Sequence, residues 1–148
     1  PKKAMEWFQR AAENGSEEGA INLGIAYSNG IGVRLNLKKA MDWLTEAANS
    51  GRPRAQYHMG TCLEMAKKLE GNEKRAVQWY RKAAQQNFGP AFASLAYCYH
   101  MGIGVEKDPQ RSVFCSRRAK KLGDREEREK QRGFIFSESL SPRAKISN

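Results

Sequence analysis

The chain has 148 residues, 40% of them hydrophobic, with three Trp, three Cys and a formal net charge of +10. That is enough apolar material for an ordinary core, and no apolar run approaches the ~20 residues that a membrane-spanning helix needs. The charge is uneven: residues 1–51 carry six basic and six acidic side chains, 52–104 eight and three, and 105–148 twelve and seven.

A step of 36 residues runs through the chain, joining Trp7, Trp43 and Trp79, then Ala11, Ala47, Ala83 and Ala119, then Leu23, Met59 and Leu95. A period of this size marks a stack of supersecondary units, each unable to bury its apolar face alone. Within each unit the apolar positions fall at helical spacing, so each reads as two amphipathic helices. The expected fold is all-α: a right-handed α-solenoid of stacked antiparallel helix pairs.

Residues 1–15 read as the second helix of a truncated repeat, with Trp7, Phe8, Ala11 and Ala12 facing inward and Gly15 as a left-handed stop. The half unit and the missing initial Met lead us to expect a piece of a longer array, with any targeting segment upstream. Residues 16–51 form a full repeat: a first helix carrying Ala20, Leu23 and Tyr27, the loop Asn29-Gly30-Ile31-Gly32-Val33, and a second helix carrying Ala40, Trp43, Leu44 and Ala47. Gly30 and Gly32 suit backbone angles that other residues avoid. Asn36, Asn72 and Asp108 each stand where a helix N-cap belongs, with Pro109 at a favoured first helical position.

The repeat at 52–87 has Ala66-Lys67-Lys68-Leu69 in place of the glycine loop. Its first helix is therefore expected to run about a turn longer, placing Lys67 and Lys68 on one rim. The repeat at 88–123 restores Gly102-Ile103-Gly104-Val105 but has Ser112, Cys115 and Lys120 where Ala, Trp and Ala are expected. Such polar replacements suit the end of an array. In the tail, 124–148, residues 124–132 contain no apolar side chain. A short, marginal extension of the last helix is expected there, followed by disorder from Gly133, with Phe134-Ile135-Phe136 available to dock on the solenoid or on a partner.

The runs Lys39-Ala40-Met41-Asp42-Trp43, Arg75-Ala76-Val77-Gln78-Trp79-Tyr80-Arg81-Lys82-Ala83-Ala84 and Leu95-Ala96-Tyr97-Cys98-Tyr99-His100-Met101-Gly102-Ile103-Gly104-Val105 resemble the Sel-1-like repeat, a tetratricopeptide-like helical repeat. The resemblance covers residues 2 to about 123. It implies adaptors for protein assembly. A cysteine-rich branch of that family pairs two Cys within each unit, but the corresponding positions here are Ala20 and Ala48, Gln56 and Ala84, and Phe92 and Lys120. The hydrolase-like activity associated with that branch loses its support.

In helix-pair solenoids the first helices line the concave surface. The positions expected to face that groove are Ile21, Asn22, Ile25 and Ser28, then Tyr57, His58, Thr61 and Glu64, then Ala93, Ser94, Tyr97 and His100, one rung per unit. Tyr57 and Tyr97 would anchor a partner through large contact area at modest entropy cost. Asn22 and His58, one period apart, would clamp the backbone of an extended peptide.

No metal or cofactor is expected, because His58 and His100 lie on different rungs with no Cys/His cluster beside them. Cys62 and Cys98, about 8–10 Å apart on neighbouring helices, are too distant for a disulfide, and unpaired thiols suit a reducing compartment such as the cytoplasm. No catalytic residue is assigned, since nucleophile, base and orienting group do not converge. The expected function is a non-enzymatic scaffold whose groove holds a peptide or helix of one or more partner proteins. The basic C-terminal two-thirds supports an alternative, a nucleic-acid- or ribosome-associated adaptor whose binding would fall steeply with salt.

Overall fold

Each apolar stripe becomes a helix. The computed structural model describes residues 2–66 and 71–139, and among them lie seven helices and no strand: α1 (Lys2–Glu13), α2 (Glu17–Asn29), α3 (Leu37–Asn49), α4 (Pro53–Met65), α5 (Asn72–Gln85), α6 (Gly89–Met101) and α7 (Pro109–Ser139). Consecutive helices pack against each other, and α2 also touches α4. The chain is an all-α solenoid of stacked helix pairs. The first helices begin at Glu17, Pro53 and Gly89 and end at Asn29, Met65 and Met101, keeping the step of 36 at both ends.

The expected longer α4 is therefore corrected: it has 13 residues, as α2 and α6 do. Gly30 and Gly102 close α2 and α6 in the left-handed region (φ 67° and 74°). Ala66 closes α4 with φ −85°, ψ 58°, and Asn72 Nδ2 donates to its carbonyl at 2.7 Å. That bond also corrects the capping scheme. Asn36 accepts from the Lys39 N–H (3.0 Å) and Asp108 from the Arg111 N–H (3.1 Å) as expected, but the N-cap of α5 is Gly71, with Asn72 buried inside the helix and turned back to the loop. Lys67 and Lys68, expected on the rim, lie outside the described residues.

Within each pair the helices approach closely. A Cβ on Gly24 would lie 2.5 Å from Leu44 Cγ, and one on Gly60 would lie 2.5 Å from Tyr80 Cε1. In the third pair the register positions hold Ala96 and Ser116 instead, and Ser112 Oγ, where Ala was expected, donates to the Ala96 carbonyl at 2.8 Å. Each pair also leans on the one before it. Trp43 packs on the cluster that Met5 of α1 forms with Leu23 and Ala26 of α2, and a Cβ on Gly104 would meet the Glu73 carbonyl and Val77, so the third loop lies on the start of α5.

Trp7, expected inward, is 68% exposed, because among the described residues no pair precedes α1 for it to pack on. At the other end Val113 and Phe114 are exposed on α7. This helix continues to Ser139, past the short extension expected at 124–132 and into the stretch expected to be disordered. No Pro interrupts the run, single Gly residues cost a helix only about 1 kcal/mol, and Arg125 pairs with Glu129 one turn on at 3.2 Å. The side chains of Phe134-Ile135-Phe136, residues 140–148, and the docking expected of that triplet lie outside the described part.

Two glycines should respond oppositely to the same change. Gly60→Ala should lower unfolding free energy by about 1–3 kcal/mol through overpacking on Tyr80. Gly123→Ala, where an added Cβ meets nothing within 4 Å, should raise it by about 0.5–1 kcal/mol. Urea unfolding followed by circular dichroism measures both.

Candidate functional site

The first helices form one continuous face, tied together by side chains. Arg52 Nε donates to Glu17 Oε2 at 2.6 Å. Arg54 reaches back from α4 to α2, donating to Glu18 Oε1 at 2.7 Å and to Asn22 Oδ1 at 3.0 Å. These groups are well exposed, and each such pair contributes only ~0–1 kcal/mol. Their effect is to fix register between neighbouring units.

Between α4 and α6 the face opens into a cleft of about 340 Å³, lined by Tyr57 and Glu64 from α4 and by Pro90, Ala93, Ser94 and Tyr97 from α6. Five of these six belong to the expected groove set; Pro90 does not. Tyr57 is braced from behind, its ring centroid 5.0 Å from His58, 5.6 Å from Phe88 and 5.8 Å from Tyr80. Tyr97 is 55% exposed and makes the accessible aromatic wall.

Glu64 is positioned by core groups. Cys98 Sγ donates to its Oε1 at 3.6 Å, and the buried Tyr80 phenol lies against the same carboxylate, so burial first and Glu64 second push its pKa up. The arrangement varies a repeated contact. One unit earlier the Cys62 thiol meets Ser28, and the position of Tyr80 is held by Leu44. Unit two has thus exchanged a buried Ser for a partly exposed Glu, and Leu for Tyr in the core beneath it.

The unit-one rung does not join the cleft. Ser28, expected in the groove, is 2% exposed, donates to the Ile25 carbonyl at 2.8 Å and is covered by α4 at Cys62. Ile21, expected there too, is 2% exposed in the core, and Ile25 is half-buried against that core. The Asn22 amide oxygen is taken by Arg54, whose charge also acts on His58. The expected Asn22–His58 clamp is therefore occupied by a side chain of the protein itself. Thr61 Oγ1 donates to the His58 carbonyl at 2.9 Å, and His100 is exposed outside the cleft lining.

Burial, and then the Arg54 charge, lower the His58 pKa to about 4. The unfolded state, with an ordinary imidazole, binds the proton more readily, so the stability this residue confers is fully present above pH ~6.5 and lost as pH falls towards 4. In wild type the His58 ring resonances should titrate with a midpoint near 4, and stability should fall over that window, a fall His58→Gln should abolish. Burial also raises the thiol pKa values, to about 11 for Cys62 and about 12 for Cys98, and upward for Cys115. All three Cys are free and buried. At pH 8 they should react with a chromogenic disulfide reagent only at the rate of unfolding; a fast native-state thiol would contradict this.

The Sel1 repeat model matches residues 1–16, 17–51, 53–88 and 93–124. Among solved structures, the chain is similar to c5321, a protective antigen present in uropathogenic Escherichia coli strains that displays an SLR fold, with 32% identity and a TM-score of 0.72 over 82% of this chain and 26% of that one. It is also similar to a Sel1 repeat protein from Oxalobacter formigenes, with 30% identity and a TM-score of 0.70 over 83% of this chain and 50% of that one. The chain thus spans about a quarter of the first and half of the second. A search of curated proteins finds no match. The repeat matches cover most of the 36-residue steps and helix pairs described above, and the chain belongs to the Sel1 repeat family.

Proposed function

We propose that this chain is a non-catalytic scaffold that holds a peptide or helix of a partner protein in the groove of its first helices. Sel1 repeats generally mediate protein–protein interactions, and the family is typically non-catalytic. The observation that carries the reading is the cleft between α4 and α6, where two successive units contribute one braced and one exposed Tyr beside a carboxylate. Its volume lies at the low end of small-molecule pockets, ~300–1,000 Å³, and it is open along the repeat. It suits a side chain of an extended segment. The buried, high-pKa thiols also fit poorly with nucleophilic chemistry.

Tyr97 is the residue to test. Tyr57 supports Tyr80 and Phe88, so its truncation would disturb the core, whereas Tyr97→Ala removes mainly exposed surface. Tagged full-length protein and its Tyr97→Ala variant should be compared by affinity capture with mass spectrometry, with nuclease treatment and a high-salt wash. A protein partner that survives both treatments and is depleted about tenfold or more in the variant is the expected result. Partners that vanish with nuclease or salt and ignore the variant would overturn the groove reading in favour of the basic surface.

A further inference from the structure

The chemistry of the cleft narrows the partner, given the groove reading above. In a chain of net charge +10, the cleft lining among the described residues holds a single carboxylate and no cation. Among the described residues no Lys, Arg or His forms an ion pair with Glu64. Its Oε1 is engaged by the Cys98 thiol from α6, and the Tyr80 hydroxyl stands beside it from the core. Both are neutral donors: they orient the carboxylate and leave its charge intact. The remaining acceptor capacity belongs to the cleft.

Two aromatic residues share that space. Tyr57 is on the same helix as Glu64, two turns before it, and Tyr97 comes from the next unit. An oriented carboxylate beside aromatic rings is complementary to a guanidinium, which offers forked N–H donors to the carboxylate and a flat, weakly hydrated face to the rings. A Lys ammonium satisfies the charge but not the stacking. We propose that the cleft selects partner segments bearing an arginine, whose guanidinium pairs with Glu64 and stacks on Tyr97.

The partner's basic character has a signature in the salt dependence of binding. The chain is itself strongly basic, so long-range electrostatics oppose the approach of an arginine-bearing segment and salt screens that repulsion. Salt screens the attraction to Glu64 as well, so the two effects oppose each other and affinity should change little between low and physiological salt. Nucleic-acid binding would weaken steeply over the same range.

The test uses four random decapeptide libraries that differ only at a fixed central residue: Arg, Lys, citrulline or Glu. Binding to the full chain is read by fluorescence anisotropy, with urea stability of every variant measured alongside. Arg peptides should bind about tenfold more tightly than their citrulline isosteres and several-fold more tightly than Lys peptides. Glu64→Gln should bring Arg and citrulline to within about twofold, and Ser94→Arg, which places a guanidinium on the cleft wall, should do the same by a second route. Tyr97→Ala should weaken all libraries. If peptides bind and Tyr97→Ala weakens them, but Arg and citrulline bind equally or the Arg preference survives in folded Glu64→Gln, the arginine proposal is overturned and the groove reading stands. If no library binds, or binding ignores Tyr97→Ala, both fall together.

Discussion

The molecule depends on the closeness of two helices at a residue without a side chain. Gly24 and Gly60 let Leu44 and Tyr80 press against the first helix of their own pair. In unit one this makes an ordinary core contact. In unit two the residue crossing the gap is a Tyr, and the ring that packs on Gly60 carries its hydroxyl to Glu64, one turn further along α4. A packing constraint thereby becomes a means of orienting a surface carboxylate from within. The same closeness makes Tyr80 one of the largest fully buried side chains and couples the cleft carboxylate to core integrity.

Successive pairs are joined by a different set of contacts. Trp43 packs on a cluster that includes Met5 of the preceding half unit, the third loop rests on α5, and Arg54 bridges α4 to α2. Such nearest-neighbour contacts are what hold a quasi-one-dimensional protein together. They also explain why Trp7 and Val113 are exposed at the two ends: their interior copies, Trp43 and Trp79 for the first and Met41 and Val77 for the second, are partly or fully covered by a neighbour. The Arg54 bridge has a second effect, because it occupies Asn22 and, with burial, keeps His58 neutral, so those polar residues serve the stack itself.

Much of the fold was legible because helical periodicity and the 36-residue step report independently on the same contacts. The failures are local. The register of a first helix places Ser28 and Ile21 towards the groove, but register locates a helix face and not the neighbouring helix that covers it. The loss of glycine after Met65 suggested a longer α4, whereas a side-chain bond from Asn72 to the Ala66 carbonyl ends the helix in register. Tyr57, Glu64, Ala93, Ser94 and Tyr97 line the cleft because they occupy the outward faces of α4 and α6. The part Tyr80 plays beneath Glu64 is not legible from its own position, which reads as core and is core. The available signal was pairwise: unit two departs from unit one at both 64 and 80, surface and core together.

The constancy of the step bears on how such a surface changes over time. α4 begins and ends in register with α2 and α6 although the loop behind it is built differently, so variation in the connectors is absorbed where it occurs and leaves the spacing of the groove unchanged. Specificity can then evolve by substitution at a few equivalent positions without disturbing the lattice that presents them. Duplicating the two units that share the cleft would carry its proposed chemistry with them, offset by two repeats, and two such clefts on one array would engage a single partner with the effective concentration of a tethered pair. The repeat is in that sense a unit of inheritance for recognition as well as for folding.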